Sequence, residues 1–421
     1  MTALAVAAAA ASLAAWATLF GLGIRTRRAM LRLDAGAPAR LPAVTAVVPC
    51  RNEASGVEAC VRSLLAQDLP ALRVVAVDDR SSDATGAILD RLADHLSSGA
   101  DAREEDARLE VIHVRTLPPR WLGKNHACAT GARRASGEWI LFTDGDVVFE
   151  PDALRRALSV ALARGLGHLA VVPRFLAPGF AERAFVTAFA ALLSPAVGIW
   201  DLRRPGTRAY FGIGAFNLVR RADYEAAGGH ARIAMEVVDD VKLGLLLRRS
   251  GVPQGVADSA GRVSVRWQHG FLPSVLGLVK NAFSAVEYRL GTALAAAAGG
   301  ALLGAVPVAT AILGPGAAPR AIGAAALAAS FVHHGVSARR LARGSGAEGL
   351  LAPACTLLLG AVVLGSALAA RWRGAVVWRG TRYGLDDVRA GCLRAADLPA
   401  DGAAGWPAPA AADGALRAPL R

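Results

Sequence analysis

Sulfur is scarce in this chain. Five cysteines are scattered over 421 residues, with no CxxC pair and no histidine at metal-ligand spacing. That pattern excludes structural zinc and provides no disulfide framework, which suits a reducing cytoplasm. Glycine-rich phosphate cradles are missing too. No GxGxxG follows the first expected strand and no GxxxxGK[ST] occurs anywhere, so a dinucleotide fold and P-loop chemistry are not expected. The net charge is +13, yet no helix-turn-helix, zinc-finger or RNA-recognition pattern accompanies it. Nucleic acid is therefore not the expected partner, and contact with an anionic membrane surface explains the arginine excess more simply.

Long apolar runs are present. Thr2–Ile24, Gly291–Pro319, Ala321–Ala338 and Gly349–Ala370 are rich in Ala, Leu, Val and Gly. A bilayer-spanning helix needs about 20 apolar residues, and the first and last runs come close to that length. Pro307 is expected to kink the second, Gly314-Pro315-Gly316 to end it, and His333-His334 weakens the third. The first run has no basic residues before it, so cleavage as a signal peptide is not expected. Arg25, Arg27 and Arg28 follow it instead, which puts the next domain in the cytoplasm by the positive-inside rule. The expected organisation is a membrane helix over 1–28, a catalytic domain over 41–288, two or three membrane helices over 289–370 and a basic tail over 371–421. The last part of that tail, 403–421, reads as disordered. Within the domain, Phe185–Trp200 reads as an interfacial helix beside the acceptor site. The site expected is a multi-pass inner (plasma) membrane protein with its catalytic domain cytoplasmic.

Between the first two runs, short apolar strands alternate with helices. Strands are expected at Val44–Val48, Arg73–Val77, Leu109–Val114 and Ile140–Thr143, and helices at Val57–Gln67, Thr85–His95 and Asn125–Ala135. This alternation predicts βαβ units and a parallel sheet covered on both faces. Polar clusters fall at the C-terminal ends of the strands, where open α/β sheets bind ligands. The most informative of them is Asp144-Gly145-Asp146. Two carboxylates emerge there where a strand turns, and the glycine allows a bulky anion to approach.

In order and spacing, Val47-Val48-Pro49-Cys50-Arg51-Asn52-Glu53, Val77-Asp78-Asp79-Arg80-Ser81-Ser82-Asp83 and Phe142-Thr143-Asp144-Gly145-Asp146 resemble family 2 glycosyltransferases. Trp121-Leu122-Gly123-Lys124 and Tyr224–Gly229 followed by Val238-Asp239-Asp240-Val241 extend the likeness, which covers roughly Pro42 to Asn281. It implies an α/β GT-A domain with a Rossmann-like mixed sheet, here flanked by transmembrane helices as in the family's membrane-bound subgroup. It also implies a hexosyltransferase that uses a nucleotide-diphosphate sugar, UDP-linked by expectation, and a divalent cation, Mg²⁺ or Mn²⁺.

The residue roles follow from that likeness. Asp144 and Asp146 would hold the metal. Pro49, Arg51, Glu53, Asp78, Asp79, Lys124 and Asp144 would bind the nucleotide sugar. Asp240, or its neighbour Asp239, would be the catalytic base of an inverting displacement. Gly212–Asn217, Gly229 and His230 would shape the acceptor side together with Arg266 and Trp267. Processive synthases carry Gln-x-x-Arg-Trp, but Val263 stands at the glutamine position here. The region therefore looks more like transferases acting on ceramide, carotenoid or hopanoid lipids. A processive polysaccharide synthase, a polyprenyl-phosphate sugar transferase and a non-catalytic membrane scaffold are the alternatives.

Overall fold

In the computed structural model, residues 2–33, 41–97, 108–202, 204 and 207–397 are described, apart from the side chains of 194 and 196. The expected disorder of 403–421, and Arg203 beside the Phe185–Trp200 run, lie outside them. The elements in chain order are α1 (Thr2–Ala29), β1 (Leu31–Arg32), β2 (Val44–Cys50), α2 (Val57–Leu65), β3 (Leu72–Asp79), α3 (Thr85–Ser97), β4 (Leu109–Val114), α4 (Gly123–Arg133), β5 (Trp139–Phe142) and β6 (Val147–Phe149). Next come α5 (Ala153–Ala163), β7 (His168–Val172), β8 (Arg174–Phe175), α6 (Phe180–Ala196), β9 (Asn217–Arg220), α7 (Arg221–Ala226), α8 (Asp239–Arg249), β10 (Gln254–Asp258), β11 (Val263–Val265) and α9 (Phe271–Ala285). The C-terminal part holds α10 (Leu290–Gly300), α11 (Val306–Leu313), α12 (Ala317–Ala342), α13 (Ala352–Arg373), β12 (Ala375–Trp378), β13 (Thr381–Gly384) and α14 (Leu385–Ala390).

Eight strands form the main sheet in the order β1-β10-β7-β9-β5-β2-β3-β4. Strands β2, β3, β4 and β5 pair in parallel, with Val47 opposite both Val75 and Phe142. Every residue of β2 and β5 is buried, as strands covered on both faces must be. Alternation alone predicts a wholly parallel sheet, and this is corrected by β9, which runs antiparallel between β5 and β7. The sheet is mixed. β9 enters it from the loop that follows α6, and no crossover helix sets its direction.

Among the described residues, four helical stretches are long and apolar enough to cross a membrane: Thr2–Ala29, Leu290–Leu313, Ala317–Ala342 and Ala347–Arg373. Pro307 leaves its mark on the second. A proline at that position cannot bond to the carbonyl of Leu303, and the backbone widens into a π-turn at Ala301–Ala305 just before it. The freed Leu303 carbonyl accepts a hydrogen bond from the Trp16 indole at 3.0 Å. Trp16 is fully buried and also packs against His333 and His334, so these histidines join helices to one another.

After α12 the chain doubles back on itself. Gly346 packs on Gly335, and Gly349 on Phe331. Helix α13 begins beside Gly304, partway along the α10–α11 stretch, and returns with Gly360 against Ala296 and Gly300. At its end, the β12–β13 hairpin bonds to the α/β domain through Arg379. Both ends of the α10–α13 region therefore meet the domain.

The reading of Phe185–Trp200 as an interfacial helix is corrected. Helix α6 starts earlier, at Phe180, and packs Phe185 and Ala188 against Leu278 and Ala282 of α9 and Cys355, Leu359 and Val362 of α13. A helix that is apolar on most sides belongs inside a bundle. Exposed apolar side chains lie at Phe180, where α6 starts, and on α9 at Phe271, Leu272 and Leu276.

Removing the indole donor should leave the Leu303 carbonyl unpaired in an apolar bundle. Trp16→Phe is expected to cost about 1–2 kcal/mol, read as a lower melting temperature of the detergent-solubilised protein. An unchanged melting temperature would show that the carbonyl needs no partner.

Candidate functional site

The C-terminal ends of β2, β3 and β5 carry the polar turns. At the end of β3, Asp78 accepts hydrogen bonds from the Ser81 amide (3.2 Å) and lies 3.0 Å from His113 Nδ1. The hydrogen bond to Asp78 raises the pKa of His113, and a second one to Asp90 adds to it. Asp79 is gripped by the Arg80 guanidinium through two bonds, at 2.7 and 3.1 Å, and Arg51 stands 3.5 Å away. Arg80 reaches back because its backbone is left-handed, with φ 56°. Gly123 seats against Asp79, where any Cβ would collide with the carboxylate. Asp83 caps α3 by accepting from the Thr85 amide at 3.0 Å.

At the end of β5 the carboxylates converge. Lys124 Nζ, at the start of α4, lies 2.7 Å from Asp144 and 3.4 Å from Asp239. Burial alone would lower its pKa, but Asp144, then Asp239 and Asp240, hold the ammonium well above its usual value. The loop before β9 ties this floor together. Gly214 accepts from the Asp144 amide (3.0 Å) and donates to Asp240 Oδ2 (2.7 Å). The other Asp240 oxygen accepts from the Val241 amide at 2.9 Å. Gly212 packs on the Asp240 carbonyl with no room for a Cβ. The sequence places Gly212–Asn217 on the acceptor side, whereas the structure puts it beneath the two carboxylate pairs as a strap.

Gly229 and His230 are corrected in the same way. Both are buried, Gly229 under the Tyr224 ring and His230 with its Nδ1 2.8 Å from the Tyr224 hydroxyl. Burial, with Lys124 nearby, pushes the His230 imidazole down to about 3, so it is neutral. Neither faces the main cavity. His230, Cys128 and Asp239 offer ligand atoms within 4.8 Å of one another. Beside a lysine ammonium and with the Cys128 thiol kept protonated by burial, that cluster is better explained as packing. Pro49 also sits beneath the floor, next to Thr143 and Asp144.

Above this floor opens a cavity of about 570 Å³ lined by Glu53, Lys124, Asp144, Asp146, Asp239 and Asp240 at one end. Arg266, Trp267, Gln268, His269, Lys280 and Asn281 line it as well, and the antiparallel pairing of Val265 with Val147 sets Arg266 next to Asp146. Trp267 stacks on Phe189 at 5.3 Å, which fixes it against the helical bundle. Trp378 and Arg379 close a third side, and nothing in the sequence reading points to them. They form the tip of the β12–β13 hairpin, whose two-residue turn Arg379-Gly380 has φ values of 45° and 81°. The mirror-image turns of tight hairpins demand this. Arg379 donates to the Arg51 carbonyl (2.7 Å) and to Glu53 (2.9 Å). The chain beyond is tethered as well: Leu393 bonds to Glu236 and Lys242, and the Ala395 amide to Glu287 at 2.7 Å. A Trp-Arg-Gly-Thr turn just after an apolar helix was the available signal.

The donor set suits a hard divalent cation. Asp144, Asp146 and Glu53 present carboxylate oxygens to one wall, the ligands that Mg²⁺ and Mn²⁺ prefer. Burial, then Asp144 and Glu53, push Asp146 up to about 7, a crowding that a cation would relieve. Asp239 is likewise pushed up to about 7, by burial and by Asp240, despite Lys124.

These raised carboxylates set a sign for the pH dependence. The folded state binds protons at Asp146 and Asp239 where the unfolded chain does not, so stability falls as pH rises toward their folded values. His113, raised by Asp78, acts in the same direction. In metal-free buffer the melting temperature should drop between about pH 4 and about pH 7, and Mn²⁺ should remove the Asp146 part of that drop. A metal-free profile that is flat or rising over this range would contradict the crowding.

Residues 45–225 match the Glycosyl transferase family 2 model. A 4,4'-diaponeurosporenoate glycosyltransferase from Staphylococcus aureus (strain MRSA252) is 26% identical over 232 residues, 54% of this chain and 58% of that protein. The chain thus spans little more than half the length of this curated relative. Among solved structures, the mannosyltransferase PcManGT from Pyrobaculum calidifontis, in complex with GDP-Man and Mn2+, superposes with a TM-score of 0.52 at 20% identity. That match covers 87% of this chain and 99% of the other. The segment from β2 into α7 is thus similar to glycosyl transferase family 2, and the mixed sheet is that of a GT-A fold.

Proposed function

We propose that the protein is an inverting, metal-dependent glycosyltransferase embedded in the inner membrane. It moves one sugar from a nucleotide-diphosphate donor to a lipid acceptor on the cytoplasmic face. The observation that carries this reading is a single cavity joining three things. They are a carboxylate wall fit for a cation, the Lys124 ammonium, and a wall from α9, which packs against the apolar helices.

Asp78 and Asp79, already oriented by His113 and Arg80, offer oxygens to a base N–H or a ribose hydroxyl. Asp144 and Asp146 would hold the cation, which supplies charge to stabilise the leaving nucleoside diphosphate. Lys124 adds a positive charge at the same point. Asp239 and Asp240 lie where an acceptor hydroxyl would need a base. Asp240 has both oxygens occupied by backbone amides, which leaves Asp239, with its raised pKa, better placed to take a proton.

Topology supports the same picture. With the domain cytoplasmic, α10–α11 would leave and α12 return. The stretch starting at Ala347 would then dip in beside Gly304 and come back, keeping the tail with the domain. Arg339, Arg340 and Arg343 would stay inside, as the positive-inside rule asks.

Asp146→Ala in the full-length protein should abolish Mn²⁺-stimulated transfer from the donor while leaving the fold intact by circular dichroism. Arg379→Ala should raise the donor KM about tenfold, the loss of one charge-assisted contact. Wild-type transfer rates in Asp146→Ala would defeat the metal-dependent reading, and unaltered cellular function in a variant that no longer transfers would favour a non-catalytic scaffold. Single cysteines at positions 315, 344 and 381 test the topology: a membrane-impermeant thiol reagent added to intact cells should label only the first. Labelling of the third would require α13 to cross completely.

A further inference from the structure

The C-terminal ends of two apolar helices carry positive charge that the protein itself does not offset. Helix α1 ends with Arg27 and Arg28, and α12 with Arg340 and the capping residue Arg343. Arg174, on β8, joins them. Among the described residues none of these five arginines forms an ion pair, and Arg174 Nε is buried without a hydrogen-bond partner.

Local structure brings the five together. Trp16, Phe20, Gly23 and Arg27 are spaced three or four residues apart, so they share one face of α1. On that face Trp16 and Phe20 meet the His333 ring, and a Cβ on Gly23 would lie 3.7 Å from His333 Nε2. Arg340 stands about two turns beyond His333 on α12, and the charges that act on Arg27 are those of Arg340 and Arg28. Just after α1, strand β1 pairs with the end of β10, Arg32 opposite Asp258, which sets the helix end beside the turn that follows Asp258. Arg343 and Arg174 meet at that same turn. Where a Cβ on Gly261 would stand, their nearest guanidinium nitrogens are 3.3 and 3.5 Å away. Arg343 also holds a left-handed backbone, φ 51°, at a cap where glycine is the usual residue.

The carboxylates of the neighbourhood are already engaged. Asp152 pairs with Arg156 and Arg262, Glu348 with Arg183, and Asp201 with Arg204. Asp258 accepts from the Ala260 amide at 2.7 Å. Further back along the two helices, Phe20 and Val332 are exposed.

We infer that the ends of α1 and α12, with Arg174, form a site for the phosphodiester headgroup of an anionic phospholipid, whose acyl chain runs along Phe20 and Val332. The inference rests on the membrane placement proposed above and is independent of the transfer chemistry. Two guanidinium groups flanking one point present planar N–H forks to a phosphate, and guanidinium is weakly hydrated, so it gives up water readily. Diffuse attraction to a charged leaflet needs only net charge, whereas arginines converging from three elements on one turn make a discrete pocket between helix ends. Leu176, two residues after Arg174, lines the cavity, so a bound headgroup would steady one end of a strand that leads to the site.

The test uses the full-length protein in detergent, titrated with phosphatidylglycerol, phosphatidylcholine or water-soluble glycerophosphoglycerol, with native mass spectrometry to count bound molecules. One phosphatidylglycerol per chain should be retained, at least about tenfold more tightly than phosphatidylcholine. Arg340→Gln with Arg343→Gln should weaken it about tenfold, and Arg27→Gln with Arg28→Gln should do the same should the first pair fail to fold. Arg371→Gln with Arg373→Gln removes equal charge from the exposed end of α13 and should change binding less than about twofold. Equal loss in the α13 pair, or no preference over phosphatidylcholine, would reduce the site to diffuse attraction and overturn the inference. Glycerophosphoglycerol binding as tightly as the lipid would overturn the lipid assignment in favour of a soluble phosphodiester. A chain that stays monodisperse without detergent would instead overturn the membrane placement itself.

Discussion

Five carboxylates face one cavity in this protein, and such a cluster is stable only where cations offset it. Lys124 does so at the floor, between Asp144 and Asp239, with Asp240 close enough to raise its pKa further. Its position depends on the fold at every level. Helix α4 begins at Gly123 because only glycine fits against Asp79 there, and that start brings the next residue over the end of β5. Even so, the offset is partial. Asp146 and Asp239 remain pushed up to about 7, so the site stores repulsion that binding a cation would release.

The same constraint accounts for the glycines around the floor. Gly214 meets Asp144 and Gly212 meets the Asp240 backbone at distances no Cβ could tolerate. Backbone amides supply hydrogen bonds to carboxylates without adding further charge, which a cluster already crowded with acid requires. The loop before β9 is thus part of the electrostatics of the site as well as the connection that inserts an antiparallel strand. Reversing β9 brings Asn217 to the end of β5, where its amide reaches the Asp240 carbonyl at 3.4 Å.

Much of this was legible in the sequence, and the misses share a cause. Strand β4 matches its expected bounds, and β2, β3 and β5 differ by a residue or two, because buried β-branched runs leave little choice of structure. Of the residues singled out in the sequence, Lys124, Asp144, Asp239 and Asp240 come together at the cavity because each lies at a strand end or helix start, whereas Asp78 and Asp79, at the end of β3, do not line it. Arg379 was missed because it lies 326 residues from Glu53, and no local pattern encodes a contact of that range. Gly229 and His230 were misplaced for a related reason. A glycine pair beside a histidine looks like a ligand loop, and only the packing of Tyr224 reveals a core turn. Ala321–Ala338, read as the weakest span, lies within a continuous helix because its histidines are sheltered by Trp16 and Thr356.

The apolar helices and the cavity are joined by one chain path. Helix α13 leaves the bundle at Arg373, and five residues later the hairpin tip is over Glu53. Helix α9 packs on α13 through Leu278 and Ala282 while holding Lys280 to the cavity. Arg379 is left-handed, at φ 45°, as the two-residue turn requires, and its side chain makes further contacts. Those contacts are to Glu53 and the Arg51 carbonyl, both at the carboxylate end. A cation binding beside Glu53 would compete for the same carboxylate, so cation occupancy and the position of the hairpin are coupled through a single side chain.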